Sequence, residues 1–379
     1  MRIAVIADDL TGALDTGVQF TQWGYRTQLT DDPRKSTAEV TIINTNTRNK
    51  PPEQAYETTY EIARHIDHDI IYKKTDSTLR GNPGQEIQAI LDATRETRVI
   101  FTSAYPPTGR RIKDGRLYVY NKPITETEYI QEYRQRTSYI PEILETETPI
   151  HILKDTRDLP ETGIAVFDSE TERDLQEIAA YYARIYAGSA GLADALCHRL
   201  RDPRPVLIII GSMRTETRTQ AEQLVKRLGT SLIPLNTVNA LNRVRQGEAV
   251  KLARGALGGG RDVIISSTHS QSLIEETQRE AKRLNLSPND VEIRITEALA
   301  SVTKALLDAP LSGLIITGGA TALAITEKLN IENIEILDEV QPGVPVLRLD
   351  TIPAVTKAGG FGQPDTLIQA TQYLKRKHR

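Results

Sequence analysis

Short apolar segments alternate with longer amphipathic segments along most of the chain. In the first half, the apolar runs predict strands at 3–7, 40–45, 69–75, 98–104, 149–153, 163–168 and 184–188. The segments between them predict helices at 12–24, 53–66, 84–95, 171–182 and 190–200. Strands and helices that alternate in this way are typical of parallel sheets covered by helices.

The same alternation continues in the second half. Strands are predicted at 206–210, 231–235, 262–267, 313–317 and 345–349, and helices at 214–228, 237–256, 270–284, 293–308 and 320–329. Residues 201–205 interrupt the pattern with two prolines among charged residues, which indicates a domain boundary. The sequence therefore predicts an α/β protein with two domains, 1–200 and 206–379, each a mainly parallel sheet covered by helices.

Residues 105–148 fit this pattern poorly. They contain turn signals, several tyrosines and many charges, but no clear period. A long irregular stretch inside a compact domain is usually functional or mobile. Arg110 and its basic neighbours contribute to an anion site in one interpretation and belong to a solvated hairpin in the other, and the pattern favours neither.

Composition and charge exclude several classes of protein. The chain has 47 Lys and Arg against 50 Asp and Glu, a net charge of −3, which argues against a general nucleic-acid binder. No apolar run reaches the length of a membrane span, and the N-terminus is predicted as a core strand and not a signal peptide. Cys197 is the only cysteine, which excludes an internal disulfide. We expect a cytoplasmic protein that binds neither nucleic acid nor membrane.

Two adjacent carboxylates follow the first predicted strand. Asp8 and Asp9 stand directly after the run 3–7, just before the next helical pattern. In open α/β sheets, ligands bind outside the carboxyl ends of the strands. Two carboxylates there are costly to hold unless they meet a metal, a base or a hydroxylated ligand. The alternative is that one aspartate caps the helix and its neighbour is solvated.

A dense polar motif, IYKKTDSTLRGNPG, spans residues 71–84. The planar guanidinium of Arg80 suits a carboxylate, and Asp76 suits hydroxyl donors. Lys73 and Lys74 add positive field. The motif indicates a site for an anionic, hydroxyl-bearing small molecule, although an exposed turn of mixed charge is the alternative.

Three glycine-containing turns in the second half are candidates for phosphate binding. They lie within 206–217, 313–325 and 357–366, the last beside a lysine, whereas a P-loop motif and a GxGxxG after a strand are both missing from the sequence. Free backbone N–H groups at helix N-termini suit phosphate, and glycine allows close approach. Each turn alone is more often a simple cap, but together they favour a phosphate-binding face. Residues 255–260, GALGGG, predict only the end of a helix.

Over nearly its whole length the chain resembles the four-carbon acid sugar kinase family. In the first half the matching motifs are ADDLTGALD at 7–15, NTNTR ending at Arg48, KKTDSTLRGNPG at 73–84, YPPTGRRIKDGRLYVYNKPITETEY at 105–129 and GSAGLADAL at 188–196. In the second half they are GSMRTET at 211–217, TGGAT at 317–321 and KAGGFGQPD at 357–365. Their order and spacing also match.

This resemblance implies an ATP- and magnesium-dependent kinase that phosphorylates the terminal hydroxyl of D-threonate, D-erythronate or a close relative. It implies a sugar-acid-binding N-terminal domain, a nucleotide-binding C-terminal domain, an active site in the interdomain cleft and a possible homodimer. The candidate substrate-binding residues are Asp8, Asp9, Arg48, Lys73, Lys74, Asp76, Arg80 and Arg110. The candidate nucleotide contacts are Ser212, Gly318, Gly319, Ala320, Thr321, Gly359 and Gly360. The metal ligands are unknown.

We expect one acid among Asp8, Asp9 and Asp76 to be the general base, and we favour Asp9 or Asp76, with little to separate these two. The chain departs from the family at Ala320, where a carboxylate is usual, and in the GSMR, KAGGFG and NTR segments. Two rival functions follow. One is a non-catalytic sugar-acid sensor that has lost the second site. The other is a metal-assisted lyase or isomerase, which leaves the glycine turns without a role.

Overall fold

The chain divides into two compact units, Met1–Asp202 and Pro203–Arg379, here called unit 1 and unit 2. The computed structural model of the chain describes residues 1–132, 136–155, 157–212, 214–268 and 270–377. Met213 of the GSMRTET segment therefore lies outside the described residues. Within these ranges, the helices are too short or too polar to cross a membrane.

Unit 1 is built around a parallel sheet. Its strands in chain order are β1 (Ile3–Ala7), β2 (Thr27–Leu29), β3 (Val40–Asn44), β4 (Ile70–Lys74), β5 (Arg98–Thr102), β6 (Arg110–Lys113), β7 (Arg116–Val119), β8 (Lys122–Pro123), β9 (Ile150–Leu153), β10 (Gly163–Phe167) and β11 (Ile185–Gly188). The main sheet has the order β2-β3-β1-β4-β11-β5-β10-β9, and its neighbouring strands pair in parallel. Strands β1 and β4 are buried at every residue, as continuous apolar runs of a two-sided parallel sheet require.

The helices of unit 1 are α1 (Leu10–Gln22), α2 (Pro52–Ala63), α3 (Pro83–Thr94), α4 (Ile140–Leu144), α5 (Glu172–Ala179) and α6 (Ala190–Arg201). Local chemistry explains where several begin. Asp9, Thr171 and Ser189 cap α1, α5 and α6, each accepting a backbone N–H with its side chain. The predicted α/β class with a mainly parallel sheet is confirmed.

The position of a ligand site in unit 1 follows from the strand order. Strand β1 lies between β3 and β4, so the chain adds strands first on one side of β1 and then on the other. The connections that leave the carboxyl ends of β1 and β4 therefore diverge. Such a switch point opens a crevice in which α/β proteins bind ligands.

The irregular stretch 105–148 contains a small antiparallel sheet of order β6-β7-β8, followed by α4. One of the two interpretations of this stretch was a solvated hairpin. The structure shows a hairpin, but part of it is buried. Ile112, Leu117 and Val119 belong to the buried apolar core of unit 1. Strands of four and two residues are too short to give a detectable alternation.

Unit 2 is a second sheet covered by helices. Its strands are β12 (Val206–Ile210), β13 (Ser231–Pro234), β14 (Val263–Ser266), β15 (Gly313–Thr317), β16 (Ile334–Gln341), β17 (Val344–Leu349) and β18 (Ile352–Lys357). Its helices are α7 (Thr215–Leu228), α8 (Thr237–Leu241), α9 (Gly247–Gly258), α10 (Gln271–Arg283), α11 (Pro288–Leu306), α12 (Gly319–Leu329) and α13 (Thr366–Lys377). The strand order is β13-β14-β12-β15-β18-β17-β16, parallel as far as β18 and antiparallel beyond it.

Three features of unit 2 differ from the prediction. The predicted helix 237–256 is two helices, α8 and α9, separated near Arg243, whose φ of 58° does not continue a helix. Strand β17 forms as predicted but pairs antiparallel, and β16, β18 and α13 were not predicted. Strand β16 is exposed over most of its length. Its sequence therefore lacks the continuous apolar run by which the buried strands were predicted.

Gly84 in α3 packs directly against the backbone of Leu144, which leaves no space for a side chain. A Cβ atom there would lie 1.6 Å from the carbonyl oxygen of Leu144. We predict that Gly84→Ala destabilises unit 1 by about 3 kcal/mol, the upper part of the usual range for overpacking, because the obstacle is backbone. Trp23, the single tryptophan, lies in this core, so urea unfolding followed by its fluorescence measures the effect.

The matched control is Gly255→Ala in α9, where a Cβ would meet nothing within 4 Å. Alanine favours a helix interior by up to about 1 kcal/mol over glycine. We expect this variant to leave the Trp23 transition unchanged and to raise the stability measured by circular dichroism. Equal Trp23 transitions in wild type and Gly84→Ala would contradict the prediction.

Candidate functional site

Arg48 holds the two aspartates that follow β1. Its Nε and Nη2 donate to the two carboxylate oxygens of Asp8 at 2.8 and 3.0 Å, and its Nη1 donates to Asp9 at 2.5 Å. The other oxygen of Asp9 caps α1 by accepting the N–H of Gly12 at 2.7 Å. Burial opposes the charge of Arg48, but the hydrogen bonds to Asp8 together with the charges of Asp8, Asp76 and Asp9 outweigh it and raise the pKa of Arg48. The neighbouring carboxylates thus coexist because one guanidinium donates to both of them.

Asp76 and Arg80 form a second pair after β4. Arg80 donates to Asp76 through Nε at 2.9 Å and Nη2 at 3.1 Å, and the hydroxyl of Thr78 donates to the same carboxylate. Burial alone would raise the pKa of Asp76, but the hydrogen bonds from Arg80 and Thr78 bring it well below its usual range. Asp76 is therefore a permanently ionised group that orients Arg80.

The segments after β1, β3 and β4 meet at one edge of the sheet. Gly81 has a φ of 92°, and a Cβ there would lie 3.0 Å from Oδ2 of Asp8. The side-chain amide of Asn82 donates to the carbonyls of Thr47 and Lys50 at 3.2 and 3.0 Å. These contacts join two groups of charged residues that lie far apart in the sequence. Asp8, Asp9, Arg48, Asp76 and Arg80 are called the acid–arginine network below.

Lys73 was predicted to bind substrate, but the structure gives its charge another partner. Its side chain is fully buried, and its ammonium lies 2.9 Å from Glu86, which is also buried. The ammonium also reaches the carbonyls of Ile6 and Lys74 at 3.4 and 2.8 Å, so three acceptors surround it. The hydroxyl of Thr47 donates to Glu86. Because an ammonium has three N–H donors, Lys73 supports the strand ends and its geometry does not favour a ligand contact.

Lys74 is also buried but lies closer to the acid–arginine network. Its ammonium donates to the carbonyl of Thr75 at 2.9 Å. Both this ammonium and the carboxylate of Asp9 lie close to Gly12. A Cβ atom on Gly12 would be 3.2 Å from Nζ of Lys74 and 2.7 Å from Oδ1 of Asp9. Burial lowers the pKa of Lys74, and nearby acids, Asp15 first, oppose this shift. Lys74 therefore adds positive charge behind the aspartates.

Arg110 lies within the small hairpin. Its guanidinium donates to the carbonyl of Thr108 and to the hydroxyl of Tyr129, and it packs over the rings of Tyr120 and Tyr129 at 5.5 and 5.6 Å. The described contacts do not join it to the acid–arginine network. A role for Arg110 in ligand binding remains a prediction.

The three glycine turns of unit 2 converge on one place. A Cβ on Gly211 would lie 2.0 Å from the hydroxyl oxygen of Thr321, and a Cβ on Gly359 would lie 2.0 Å from that of Ser212. Gly318 has a φ of 100° and starts α12. Side chains on Gly211 and Gly359 would hold these turns apart, so glycine is required for them to meet. This group is called the glycine-turn cluster.

The cluster also lies at a switch point. Strand β12 lies between β14 and β15, and Gly211 and Gly318 follow the carboxyl ends of β12 and β15. The N-terminus of α12, with Gly319 and Ala320, is exposed beside them. Unpaired N–H groups and the helix dipole make such an end suitable for phosphate.

Sequence reasoning did not select two residues that complete this cluster. Lys357, at the end of β18, reaches Thr217 of α7 at 3.2 Å and the carbonyl of Gly359 at 3.4 Å. The hydroxyl of Thr268 donates to the carbonyl of Ser212 at 2.7 Å. The lysine beside the KAGGFG glycines was visible in the sequence, but its burial and partners depend on α7.

The buried pair of Lys73 and Glu86 generates a stability prediction. Glu86→Gln leaves the Lys73 ammonium buried without its counter-charge, and breaking a buried pair in this way costs about 3–5 kcal/mol. We expect a loss of this size in the urea transition followed by Trp23 fluorescence. The double variant Lys73→Met/Glu86→Gln removes the charge as well and should recover most of the loss.

Glu177→Gln is the control for this measurement. Glu177 pairs with Arg173 at 2.8 Å, but both side chains are 57% exposed. Exposed pairs contribute little to stability, so the transition should hardly move. A Glu86→Gln variant as stable as Glu177→Gln would show that the buried pair does not support unit 1.

Comparison with known proteins gives the family. A model described as a sugar-binding N-terminal domain matches residues 3–196, and one described as a nucleotide-binding C-terminal domain matches residues 207–367. The chain is 31% identical to a D-threonate kinase of Salmonella typhimurium, over 99% of each chain. It is 26% identical to a D-erythronate kinase of Heliobacterium modesticaldum, over 99% of this chain and 98% of that protein.

A solved structure is similar over the full length of both chains. It is a domain of unknown function from Bordetella bronchiseptica, a domain-swapped dimer with bound citrate, 27% identical with a TM-score of 0.61. Its similarity extends through both units, as do the matches to the two named kinases. With both domain models matched in order, the chain belongs to the four-carbon acid sugar kinase family.

Proposed function

We propose that the protein transfers the γ-phosphate of ATP to the terminal hydroxyl of a four-carbon sugar acid, D-threonate or D-erythronate. The observation that carries this proposal is the presence of one suitable site in each unit. The acid–arginine network offers carboxylates and a guanidinium to a hydroxylated acid. The glycine-turn cluster offers backbone donors to phosphates.

Arg80 binds the substrate carboxylate in this proposal. Asp76 orients its guanidinium, and the side chain is 35% exposed. A fixed guanidinium loses little entropy when it binds a planar carboxylate. The names of the relatives support a four-carbon acid as substrate, and the citrate in the Bordetella bronchiseptica structure shows that a similar protein accommodates a carboxylic acid.

Asp9 is our choice for the general base. Its side chain is 23% exposed, whereas those of Asp76 and Asp8 are 12% and 3% exposed. A carboxylate with a strongly lowered pKa is a poor proton acceptor, and Asp76 is in that condition. Asp8 is almost fully buried with both oxygens on Arg48, whereas Asp9 gives Arg48 one oxygen and accepts the N–H of Gly12 with the other. Asp9 is therefore the acid best able to accept the proton of the attacking hydroxyl, while Asp8 and Asp76 orient the two arginines.

Magnesium would enter with the nucleotide. In the described ranges, no three acidic, histidine or cysteine side chains group as metal ligands, and Ala320 stands where the family has a carboxylate. Magnesium commonly keeps its waters and binds phosphate oxygens with one or two carboxylates, so a dedicated protein cage is not required. The ion neutralises phosphate charge when it is bound.

The rival functions have less support. A sensor without catalysis rests on Ala320 alone, and the glycine-turn cluster around it has its close backbone contacts intact. A lyase or isomerase leaves this cluster unexplained. We also propose that the protein forms a homodimer, supported by the dimer of the Bordetella bronchiseptica relative.

The first functional prediction concerns the substrate. ATP consumption should require magnesium and one added acid from a panel of three- to six-carbon sugar acids, and D-threonate or D-erythronate should have the highest kcat/KM. A coupled ADP-release assay measures this. Folded protein that turns over no acid in the panel, or that acts without ATP, would refute the kinase proposal.

The second prediction separates the aspartates. Asp9→Asn keeps the helix cap, because asparagine caps as well as aspartate, but it removes the base. We expect kcat to fall about 10²- to 10⁴-fold while the sugar acid still raises the melting temperature. Asp76→Asn loosens Arg80 and should chiefly raise the KM for the sugar acid. A larger kcat loss in Asp76→Asn than in Asp9→Asn would assign the base to Asp76 instead.

A further inference from the structure

Lys357 is a buried cation at the centre of the glycine-turn cluster. Lys357 is the last residue of β18, where it pairs with Thr317 of β15, and it is only 4% exposed. Its carbonyl accepts the N–H of Gly318 at 3.0 Å, which ties it to the turn after β15. Its ammonium donates to the hydroxyl of Thr217 at 3.2 Å and to the carbonyl of Gly359 at 3.4 Å. Lys357 thus contacts two of the three turns directly.

In the described part of the chain, the ammonium of Lys357 has no carboxylate at ion-pair distance. Lys73, in contrast, has Glu86 at 2.9 Å. Both partners of Lys357 are neutral oxygens at long hydrogen-bond distances. A buried charge without a partner is unfavourable. Consistent with this, burial lowers the pKa of Lys357 to about 8, and the charge of Glu216 opposes the shift only in part.

We propose that Lys357 supplies the positive charge that binds the nucleotide phosphates at the glycine-turn cluster. This inference rests on the proposed function and names a residue for its nucleotide site. Backbone N–H groups orient phosphate, but they carry no net charge, and the sequence has no P-loop lysine. A lysine ammonium is a common partner of phosphate in proteins. The proposal explains why a cation is buried here with only neutral partners.

Thr217 separates this role from a purely structural one. Its hydroxyl accepts from Lys357 and donates to the carbonyl of Gly359 at 2.7 Å. Thr217→Val therefore removes the side-chain contacts that α7 makes with Lys357 and Gly359 and leaves the charge in place, while Gln220 still holds the loop after β18 through the carbonyls of Phe361 and Gln363. If Lys357 served only to hold this loop, Thr217→Val and Lys357→Met would have the same consequences for nucleotide binding.

The experiment measures dissociation constants of ATP, ADP and adenosine by isothermal titration calorimetry on the full chain without sugar acid. Lys357→Met should weaken ATP binding about 10- to 100-fold, the usual effect of losing a charged hydrogen bond, and ADP binding less or equally. Adenosine has no phosphate, so its affinity should stay within about threefold. Lys357→Arg should recover part of the ATP affinity, and Thr217→Val should weaken ATP binding less than Lys357→Met does and should keep its dependence on pH.

The wild-type protein provides a second readout that needs no variant. The ammonium binds phosphate only when protonated, so ATP affinity should fall as the pH rises through about 8. Near that pH, binding should take up protons, seen as a binding enthalpy that depends on the ionisation enthalpy of the buffer. The charged side chains facing the site from the start of α7 are Glu216 and Arg214. Lys357→Met keeps both of them and should lose this pH dependence.

Several results would overturn the assignment: equal ATP affinity in wild type and Lys357→Met, an equal loss in Thr217→Val, an equal loss for adenosine, or no proton uptake by wild type between pH 7.5 and 9. Retained adenosine binding in each variant shows that unit 2 is folded, and a sugar-acid thermal shift shows that unit 1 is folded. Wild-type protein that binds ATP through Lys357 but phosphorylates no sugar acid would refute the proposed function alone. Wild-type protein that does not bind ATP would refute both.

Discussion

The charge of Arg48 is the interaction on which the candidate site of unit 1 depends. Asp8 and Asp9 are neighbours at the end of one strand, and Asp76 follows the adjacent strand. Without a cation between them, carboxylates brought this close together would repel one another. The side chain of Arg48 contacts Asp8 and Asp9 directly, and its backbone N–H donates to the carbonyl of Asp8 at 3.2 Å. The same residue therefore sets the charge and the geometry of the strand ends.

Three buried lysines show how partners decide the role of a charge. Lys73 has Glu86 as its counter-ion and two carbonyls, so its charge is satisfied within the fold. Lys74 lies behind the aspartates and increases the positive field at the ligand side. Among the described residues, the ammonium of Lys357 contacts only neutral oxygens, and burial lowers its pKa. Equal burial thus leads to a structural role, a supporting role and a proposed binding role.

Close backbone approach organises the candidate nucleotide site of unit 2. Gly211 and Gly359 lie where any side chain would collide with Thr321 and Ser212. The glycines therefore allow the three turns to pack together, and this packing places the exposed start of α12 beside the other two turns. This explains how a phosphate site can form without a P-loop motif, from turns that are unremarkable one at a time.

The sequence by itself determined the α/β class, the buried strands and the segments that carry Asp8, Asp76 and the glycine turns, because two-sided parallel strands require apolar runs and ligand-binding residues follow them. Only the tertiary structure decided the antiparallel β16–β18 edge and the short hairpin around Arg110, whose strands lack a detectable period. It also decided that Lys73 pairs with Glu86 while Lys357 meets Thr217, 140 positions away. Burial and pairing arise from residues distant along the chain, which no local pattern encodes.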